Sequence, residues 1–241
     1  MWGLIMKKYL CLSLSLIFSV TFIIVIPVHI YKLNFSSAFS HSSKNNAPVI
    51  IIDAGHGGED GGAVAADKTL EKDLNLDIAL KLQNILNLYG FNVIMTRSED
   101  IMTCDENLPT QRAKKVSDIR NRFKIIQENP DSIFVSIHQN NFYDTSQKGV
   151  QVFFSPNNTE SKALADCIQQ SFVGTIQPDN KRLTKKSGTN IFLLYHSKIP
   201  SVLVECGFLS NPSDLINLKN EKYRVKTALL IADGIINYYK R

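Results

Sequence analysis

Short apolar runs alternate with longer segments in which apolar residues recur every three or four positions, from residue 47 to the C-terminus. The short runs predict strands and the periodic segments predict helices. Regular alternation of the two is typical of an α/β domain, here a single one with a twisted, mainly parallel sheet of about six strands flanked by helices. Strands are predicted at 49–53, 91–96, 132–137, 150–154, 190–195 and 202–205.

The predicted helices lie between these strands. The first follows a glycine-rich stretch: apolar residues recur from Leu70 to Tyr89, and Gly90 ends the helix. Residues 97–110 and 174–189 are predicted loops. The segment 174–189 is polar and basic, and we expect it to line another part of the molecule. Further helices are predicted at 111–127, 159–172 and 221–239.

The N-terminal segment differs in kind, because residues 9–31 carry no formal charge and are rich in Leu, Ile, Val and Phe. At about 1.5 Å per residue, a helix of this length crosses a hydrocarbon core of roughly 30 Å, whereas the apolar part of a cleaved signal peptide is shorter. We therefore predict a cytoplasmic stub and transmembrane signal-anchor in residues 1–32, a flexible tether at 33–47 and a folded external domain at 48–241. The lysines before the span place the remainder outside the membrane. Cleavage after the small residues 36–38 is the alternative.

Charge and cysteine content exclude several classes of protein. The net charge of +5 includes three lysines in or beside the predicted anchor, so the external part has too little positive charge to indicate nucleic-acid binding. Cys104, Cys167 and Cys206 are the external cysteines. Their odd number and wide spacing predict neither a disulfide framework nor a thiolate zinc site.

Three predicted strands end at chemically capable side chains. His56 follows the first strand on a glycine-rich turn, His138 follows the third, and Glu205 ends the last; Glu71 begins the helix after the turn. Ligands of open α/β sheets collect beyond the carboxyl ends of strands. Two imidazoles and one carboxylate are a common catalytic zinc set that leaves a position for water. Glu205 would then be the general base that takes a proton from this water and passes it to a leaving amine.

Each of these residues also has a simpler interpretation. His56 could be an ordinary loop histidine, His138 a satisfied polar residue at a strand end, and Glu71 an acid that the helix dipole favours. Cys206 next to Glu205 suggests a rival thiol nucleophile. Since successive strand side chains face opposite ways, only one of these two neighbours can point into a site, and we expect Cys206 to pack inward elsewhere.

The glycine-rich turn does not predict a nucleotide site. Residues 55–60 begin like a dinucleotide-binding motif, but Asp60 takes the place of its last glycine. Together with Glu59 it would repel phosphate, so we exclude a nucleotide. The influence of Glu59 on a metal at His56 stays open at this point.

Four segments together resemble a known family. They read I-I-D-A-G-H-G-G-E-D-G-G, L-E-K-D-L-N-L, S-I-H-Q-N and P-S-V-L-V-E-C-G-F-L-S-N-P, in that order along the chain. They resemble the zinc-dependent N-acetylmuramoyl-L-alanine amidases of the Amidase_3 type. The chain departs from the family at Asn141, where a small residue is frequent. A predicted anchor joined to a bare catalytic domain most resembles the spore-cortex amidases of endospore formers (CwlD-like).

The resemblance implies a fold, a site and a reaction. It implies the α/β fold of the family, with Zn²⁺ held by His56, Glu71 and His138 and with Glu205 as the catalytic glutamate. The reaction would be hydrolysis of the amide between N-acetylmuramic acid and L-alanine of the peptidoglycan stem peptide, in spore cortex maturation. Because wall-binding repeats are not seen, we also expect a protein that recruits or activates the enzyme. The alternatives are a catalytically idle peptidoglycan-binding or regulatory module and another cell-wall zinc peptidase.

Overall fold

A computed structural model describes residues 47–241 of the chain. The predicted anchor at 1–32 and almost all of the predicted tether lie outside the described residues. Within the described part, no helix is long and apolar enough to cross a membrane. Pro48–Arg241 forms one unit of structure.

Six strands form one sheet in the order β2-β1-β3-β6-β4-β5. β1, β2, β3 and β6 run parallel, and β4 is antiparallel to β6 and parallel to β5. The strands are β1 (Val49–Ala54), β2 (Asn92–Met95), β3 (Ser132–Asn140), β4 (Gln151–Phe154), β5 (Lys185–Lys186) and β6 (Ser201–Phe208). The helices are α1 (Glu71–Leu88), α2 (Gln111–Glu128), α3 (Glu160–Val173), α4 (Phe192–His196), α5 (Pro212–Lys219) and α6 (Glu221–Tyr239). The predicted α/β class and the mainly parallel six-stranded sheet are confirmed.

The sheet is covered on both faces, which explains why its central strands are apolar throughout. On one face α1 and α3 pack against the sheet and against α6. On the other face, Ile51, Phe134 and Leu203 from three adjacent strands form a core cluster with Ile126 of α2 and Leu194 of α4. The carboxyl ends of β1, β3 and β6 therefore meet at one edge between two well-packed layers.

The strand predicted at 190–195 is wrong, because this segment forms the short helix α4. A short apolar run does not distinguish a strand from a buried helical turn. Leu194 is buried while its neighbour Tyr195 is 37% exposed, and Ile191 and Leu194, three residues apart, both contact the core cluster. Contact with α2 and β6 decides in favour of the helix.

Two elements were not predicted. β5 has only two residues and lies in the segment 174–189 predicted as a loop. α5 begins at a recognisable helix start, because Asn211 is its N-cap and Pro212 its first residue. The Asn211 side chain accepts hydrogen bonds from the backbone N–H groups of Ser213 and Asp214 at 3.0 and 3.1 Å.

The cap of α5 gives a test of this part of the fold. We expect Asn211→Ala to lower the free energy of unfolding by about 1 kcal/mol or more, since the cap is lost together with the bond that Asn211 donates to the carbonyl of Thr145. Asn217→Ala, at an exposed position of the same helix, is the control and should be neutral because alanine favours helix. Urea unfolding measures both, and equal values for the two variants would contradict the assigned cap.

Candidate metal centre

His56, Glu71 and His138 come together at the carboxyl edge of the sheet. Each offers one ligand atom, and these atoms lie within 4.8 Å of one another. His56 sits on the turn after β1 with φ of 62°, a left-handed conformation that is uncommon outside glycine. His138 lies in β3, and Glu71 is the first residue of α1. The structure thus brings together the three residues that the resemblance implies as ligands.

The Glu71 carboxylate bridges the two imidazoles. Its Oε2 atom is 3.2 Å from His56 Nε2, and its Oε1 atom is 2.9 Å from His138 Nδ1. In a tetrahedral zinc site with bonds of about 2.1 Å, ligand atoms lie roughly 3.4 Å apart. The donor types fit a zinc ion, and both histidine–carboxylate distances are close to this spacing.

The Glu71 side chain is fixed from several directions. Its oxygens accept hydrogen bonds from the backbone N–H groups of Ala63 at 2.8 Å and Gln139 at 3.1 Å, and from the Asn75 side chain at 3.3 Å. Burial raises its pKa, but the hydrogen bonds with His138 and His56 outweigh burial and hold the pKa far below its usual range. Glu71 is therefore an ionised acceptor in a fixed position.

Asp60 orients His56, and we did not predict this. Its Oδ2 atom is 2.8 Å from His56 Nδ1, which leaves Nε2 facing Glu71. A carboxylate on the remote nitrogen of a ligating histidine fixes the orientation of the ring. Burial lowers the pKa of His56, but the hydrogen bonds with Asp60 and Glu71 outweigh it and raise the pKa to about 9. In the sequence, Asp60 indicated only that phosphate is excluded, and its four-residue spacing from His56 on a glycine-rich turn did not indicate the contact.

Two buried arginines hold the turn that carries His56. Arg97 donates to the carbonyls of Ala54 and Gly55 at 2.8 and 3.1 Å. Arg122 donates to the carbonyl of His56 at 2.7 Å and to the carbonyl of Ala54 at 2.8 Å. Arg97 follows β2 and Arg122 lies in α2, so both are distant in sequence from His56. No local sequence pattern could therefore predict these contacts.

Space around the cluster is just as tightly constrained. A Cβ atom on Gly55 would lie 2.3 Å from His138 Nε2, and one on Gly62 would lie 2.6 Å from Glu71 Oε2. Both glycines are therefore needed by the packing of the histidines and the carboxylate, independently of any role in turn formation.

Glu205 lies beside His138 on the same face of the sheet, because the two residues are register partners in β6 and β3. Among the described residues, its buried Oε2 atom has no hydrogen-bond partner. Burial raises the pKa of Glu205 to about 7; the charge of Glu71 adds to this, and the two histidines oppose it. An unpartnered buried carboxyl oxygen next to the cluster is available for a proton.

The neighbouring residues behave differently. Cys206 points to the opposite face and is 1% exposed, and burial raises the pKa of its thiol well above the usual range. The expectation that Cys206 packs inward is confirmed.

Glu59 pairs with Lys114 at 2.8 Å and accepts a hydrogen bond from Gln111. Glu59 is thus directed to α2 and is no member of the His56 cluster.

An α/β sheet with two imidazoles and a carboxylate in ligand geometry, and a second carboxylate beside them, is typical of metal-dependent hydrolases. Comparison with known proteins agrees. A family model described as N-acetylmuramoyl-L-alanine amidase matches residues 50–237. The germination-specific N-acetylmuramoyl-L-alanine amidase of Bacillus subtilis is 34% identical over 218 residues, which is 89% of this chain and 91% of that protein. The chain belongs to the N-acetylmuramoyl-L-alanine amidase family, of Amidase_3 type, and is an enzyme of this class.

Solved structures show the same relationship. The CwlD amidase from Clostridioides difficile, in complex with the GerS lipoprotein, is 42% identical with a TM-score of 0.77 over 80% of this chain and 98% of that one. The catalytic domain of CwlV from Bacillus (Paenibacillus) polymyxa is 31% identical with a TM-score of 0.66, again over 80% and 98%. The family predicted from the four motifs is therefore confirmed.

The buried pair under the His56 turn predicts a pH effect on stability. Burial opposes the charge of Asp53, but Arg122 at 2.6 Å and Ser136 at 2.5 Å outweigh it and lower the pKa of Asp53 to about 2. Because the pKa of Asp53 in the folded state lies below the unfolded value of about 3.9, the ionised carboxylate stabilises the fold by about 2 kcal/mol. This stabilisation is fully present above the unfolded pKa and is lost as the pH falls to about 2.

We therefore expect the stability gap between wild type and Asp53→Asn to shrink by about 2 kcal/mol between about pH 5 and pH 2. Urea unfolding at a series of pH values measures this gap. Asp131→Asn makes the same chemical change at an exposed position and should leave stability almost unchanged throughout. A gap for Asp53→Asn that does not vary with pH would contradict the ionised pair.

Proposed function

We propose that this protein is a zinc-dependent amidase that hydrolyses the bond between the lactyl group of N-acetylmuramic acid and L-alanine of the peptidoglycan stem peptide. One observation carries the proposal: a His-Glu-His cluster with zinc-ligand spacing lies next to a buried carboxyl oxygen that, within residues 47–241, has no hydrogen-bond partner. Family membership supports the choice of bond.

Zn²⁺ would be held by His56, Glu71 and His138. When bound there, it would polarise the amide carbonyl and acidify the attacking water. The two imidazoles are neutral ligands and Glu71 supplies one negative charge, so the set would leave the site with a net positive charge that favours a developing oxyanion.

The protein side chains carry the remaining tasks. Glu205 accepts the proton of the attacking water and passes it to the leaving amine of L-alanine. Asp60 holds the His56 ring with Nε2 directed at the cluster, and the arginines behind the turn keep the backbone of His56 in its left-handed conformation. Little reorganisation is then needed when the substrate arrives.

The cellular role is a further part of the proposal. Similarity to a germination-specific amidase supports a role in spore cortex maturation, where removal of the stem peptide would yield the precursor of muramic-δ-lactam. The apolar residues 9–31 support an enzyme tethered to the outer side of the membrane by a signal-anchor. The complex of the related CwlD amidase with a lipoprotein supports a protein that recruits or activates this enzyme.

The assigned role of Glu205 can be tested by substitution. Glu205→Gln should bind zinc at wild-type stoichiometry but release stem peptide at least about a hundredfold more slowly, because the proton acceptor is lost. Cys206→Ala is the matched control and should keep its activity. Metal analysis and a turnover assay on peptidoglycan measure these effects. Undiminished turnover by Glu205→Gln would remove Glu205 from the mechanism.

The products separate the proposed reaction from its alternatives. Mass spectrometry of digested peptidoglycan should find intact stem peptides with a free L-alanine amino terminus. Fragments cut elsewhere would indicate another cell-wall zinc hydrolase, and zinc binding without any product would indicate an idle binding module.

Membrane fractionation tests the proposed tether. A full-length chain in the soluble fraction, or a chain shortened near residue 38, would contradict a signal-anchor.

A further inference from the structure

A groove opens at the carboxyl end of β6, beside the start of β4. It has a volume of about 600 Å³, and loop residues 146–149 and 176–182, α5 and Tyr223 line it. Loop residues 176–182 belong to the polar, basic segment 174–189, for which the sequence did not predict what the segment would line. The groove shares no lining residue with the cluster of His56, Glu71 and His138.

The groove is nevertheless close to Glu205. Gln151 of β4 is the register partner of Glu205, and adjacent strands lie about 4.8 Å apart. Arg182 Nη1 donates to Gln151 Oε1 at 3.3 Å. Arg182 therefore contacts the residue that pairs with Glu205 in the sheet, and the side chains of paired residues lie on the same face.

Arg182 is held in place by neutral groups. Its Nε atom donates to the carbonyl of Lys148 at 3.0 Å and its Nη2 atom donates to Gln147 Oε1 at 2.7 Å. The guanidinium also lies over the ring of Phe208, 4.8 Å from its centroid. Five N–H groups are present on an arginine, so these contacts and the bond to Gln151 leave one donor on each terminal nitrogen. A pair of donors of this kind can bind a carboxylate.

The positive charge of the groove is not neutralised from within. In the described part of the chain, Arg182, Lys148 and Lys181 form no salt bridge with a carboxylate. Asp214 lines the groove, but its Oδ2 atom accepts from the backbone N–H groups of Gly149 and Phe208 at 2.8 and 3.0 Å. Asp179 is an exposed carboxylate on the rim. A pre-positioned cation that lacks an anion is suited to bind one.

The proposed reaction determines which half of the substrate lies here. Glu205 returns its proton to the leaving amine, so the amine side of the bond must lie at Glu205. A stem peptide, which is the leaving group, would reach the groove if it extends from Glu205 along the start of β4. A stem peptide ends in a carboxylate and has an acidic residue along its length, so it supplies the missing anion.

We propose that the groove is a subsite for the leaving stem peptide, in which Arg182, supported by Lys148 and Lys181, binds a peptide carboxylate. This inference rests on the proposed amidase function. It assigns to Arg182 a binding role that is specific for the negative charge of the peptide.

The test compares two soluble N-acetylmuramoyl peptides that differ only in charge, one with free carboxylates and one with carboxamides. Arg182→Gln should raise KM for the carboxylate substrate roughly tenfold to a hundredfold, which is the effect of losing a charge-assisted hydrogen bond, and leave KM for the carboxamide almost unchanged. Arg182→Lys should restore part of the loss. Asp179→Asn should lower KM for the carboxylate substrate only.

Arg120→Gln is the matched control, because it removes the same charge from an exposed site on α2 that does not line the groove. Equal effects of Arg182→Gln on both substrates would mean a structural role and would overturn the proposal. Titration calorimetry with the free stem peptide decides independently of turnover: wild type should bind it at least tenfold more tightly than Arg182→Gln, and equal affinities overturn the subsite. Lack of hydrolysis by wild type, with the affinity difference intact, would refute the amidase function alone.

Discussion

The site depends on one buried carboxylate shared by two histidines. Glu71 is 4% exposed, and such a charge is costly to bury without partners. Its oxygens are satisfied by two imidazoles, two backbone N–H groups and Asn75. Because these partners come from the turn after β1, from β3 and from α1 itself, the carboxylate ties three distant parts of the chain into one ligand set.

A second layer of charge supports the first. Arg122 contacts Asp53 and Asp118 as well as the carbonyls of the His56 turn, so its positive charge is compensated inside the protein. The strained conformation of His56 is stable only because the surroundings determine it from several sides. Rigidity at this edge has a functional consequence, since catalytic geometry is most effective when it exists before the substrate binds.

The order of the strands also places the parts of the site next to one another along one end of the sheet. The cluster of His56, Glu71 and His138 lies at the ends of β1 and β3, Glu205 follows on β6, and the cationic groove lies beside the start of β4. Carbonyl chemistry, proton transfer and binding of the leaving peptide would thus occur one after another along a single edge. The antiparallel β4 makes this arrangement possible, because its first residue, Gln151, lies opposite Glu205.

The local sequence pattern was sufficient to predict the strands and helices whose apolar residues recur with a regular period. It also identified the chemically capable residues at the ends of these elements. Strands β1, β2, β3, β4 and β6 and helices α1, α2, α3 and α6 could be predicted in this way, and so could His56, Glu71, His138 and Glu205 as candidates. Periodicity could not determine α4, whose apolar run fits either structure, or β5, which exists only through pairing with β4. Only the tertiary structure identified the contacts of Asp60, Arg97, Arg122 and Arg182. Asp60 reaches His56 across a turn without helical period, and the three arginines contact parts of the chain that are distant in sequence. Such contacts depend on three-dimensional packing, which a one-dimensional pattern does not contain.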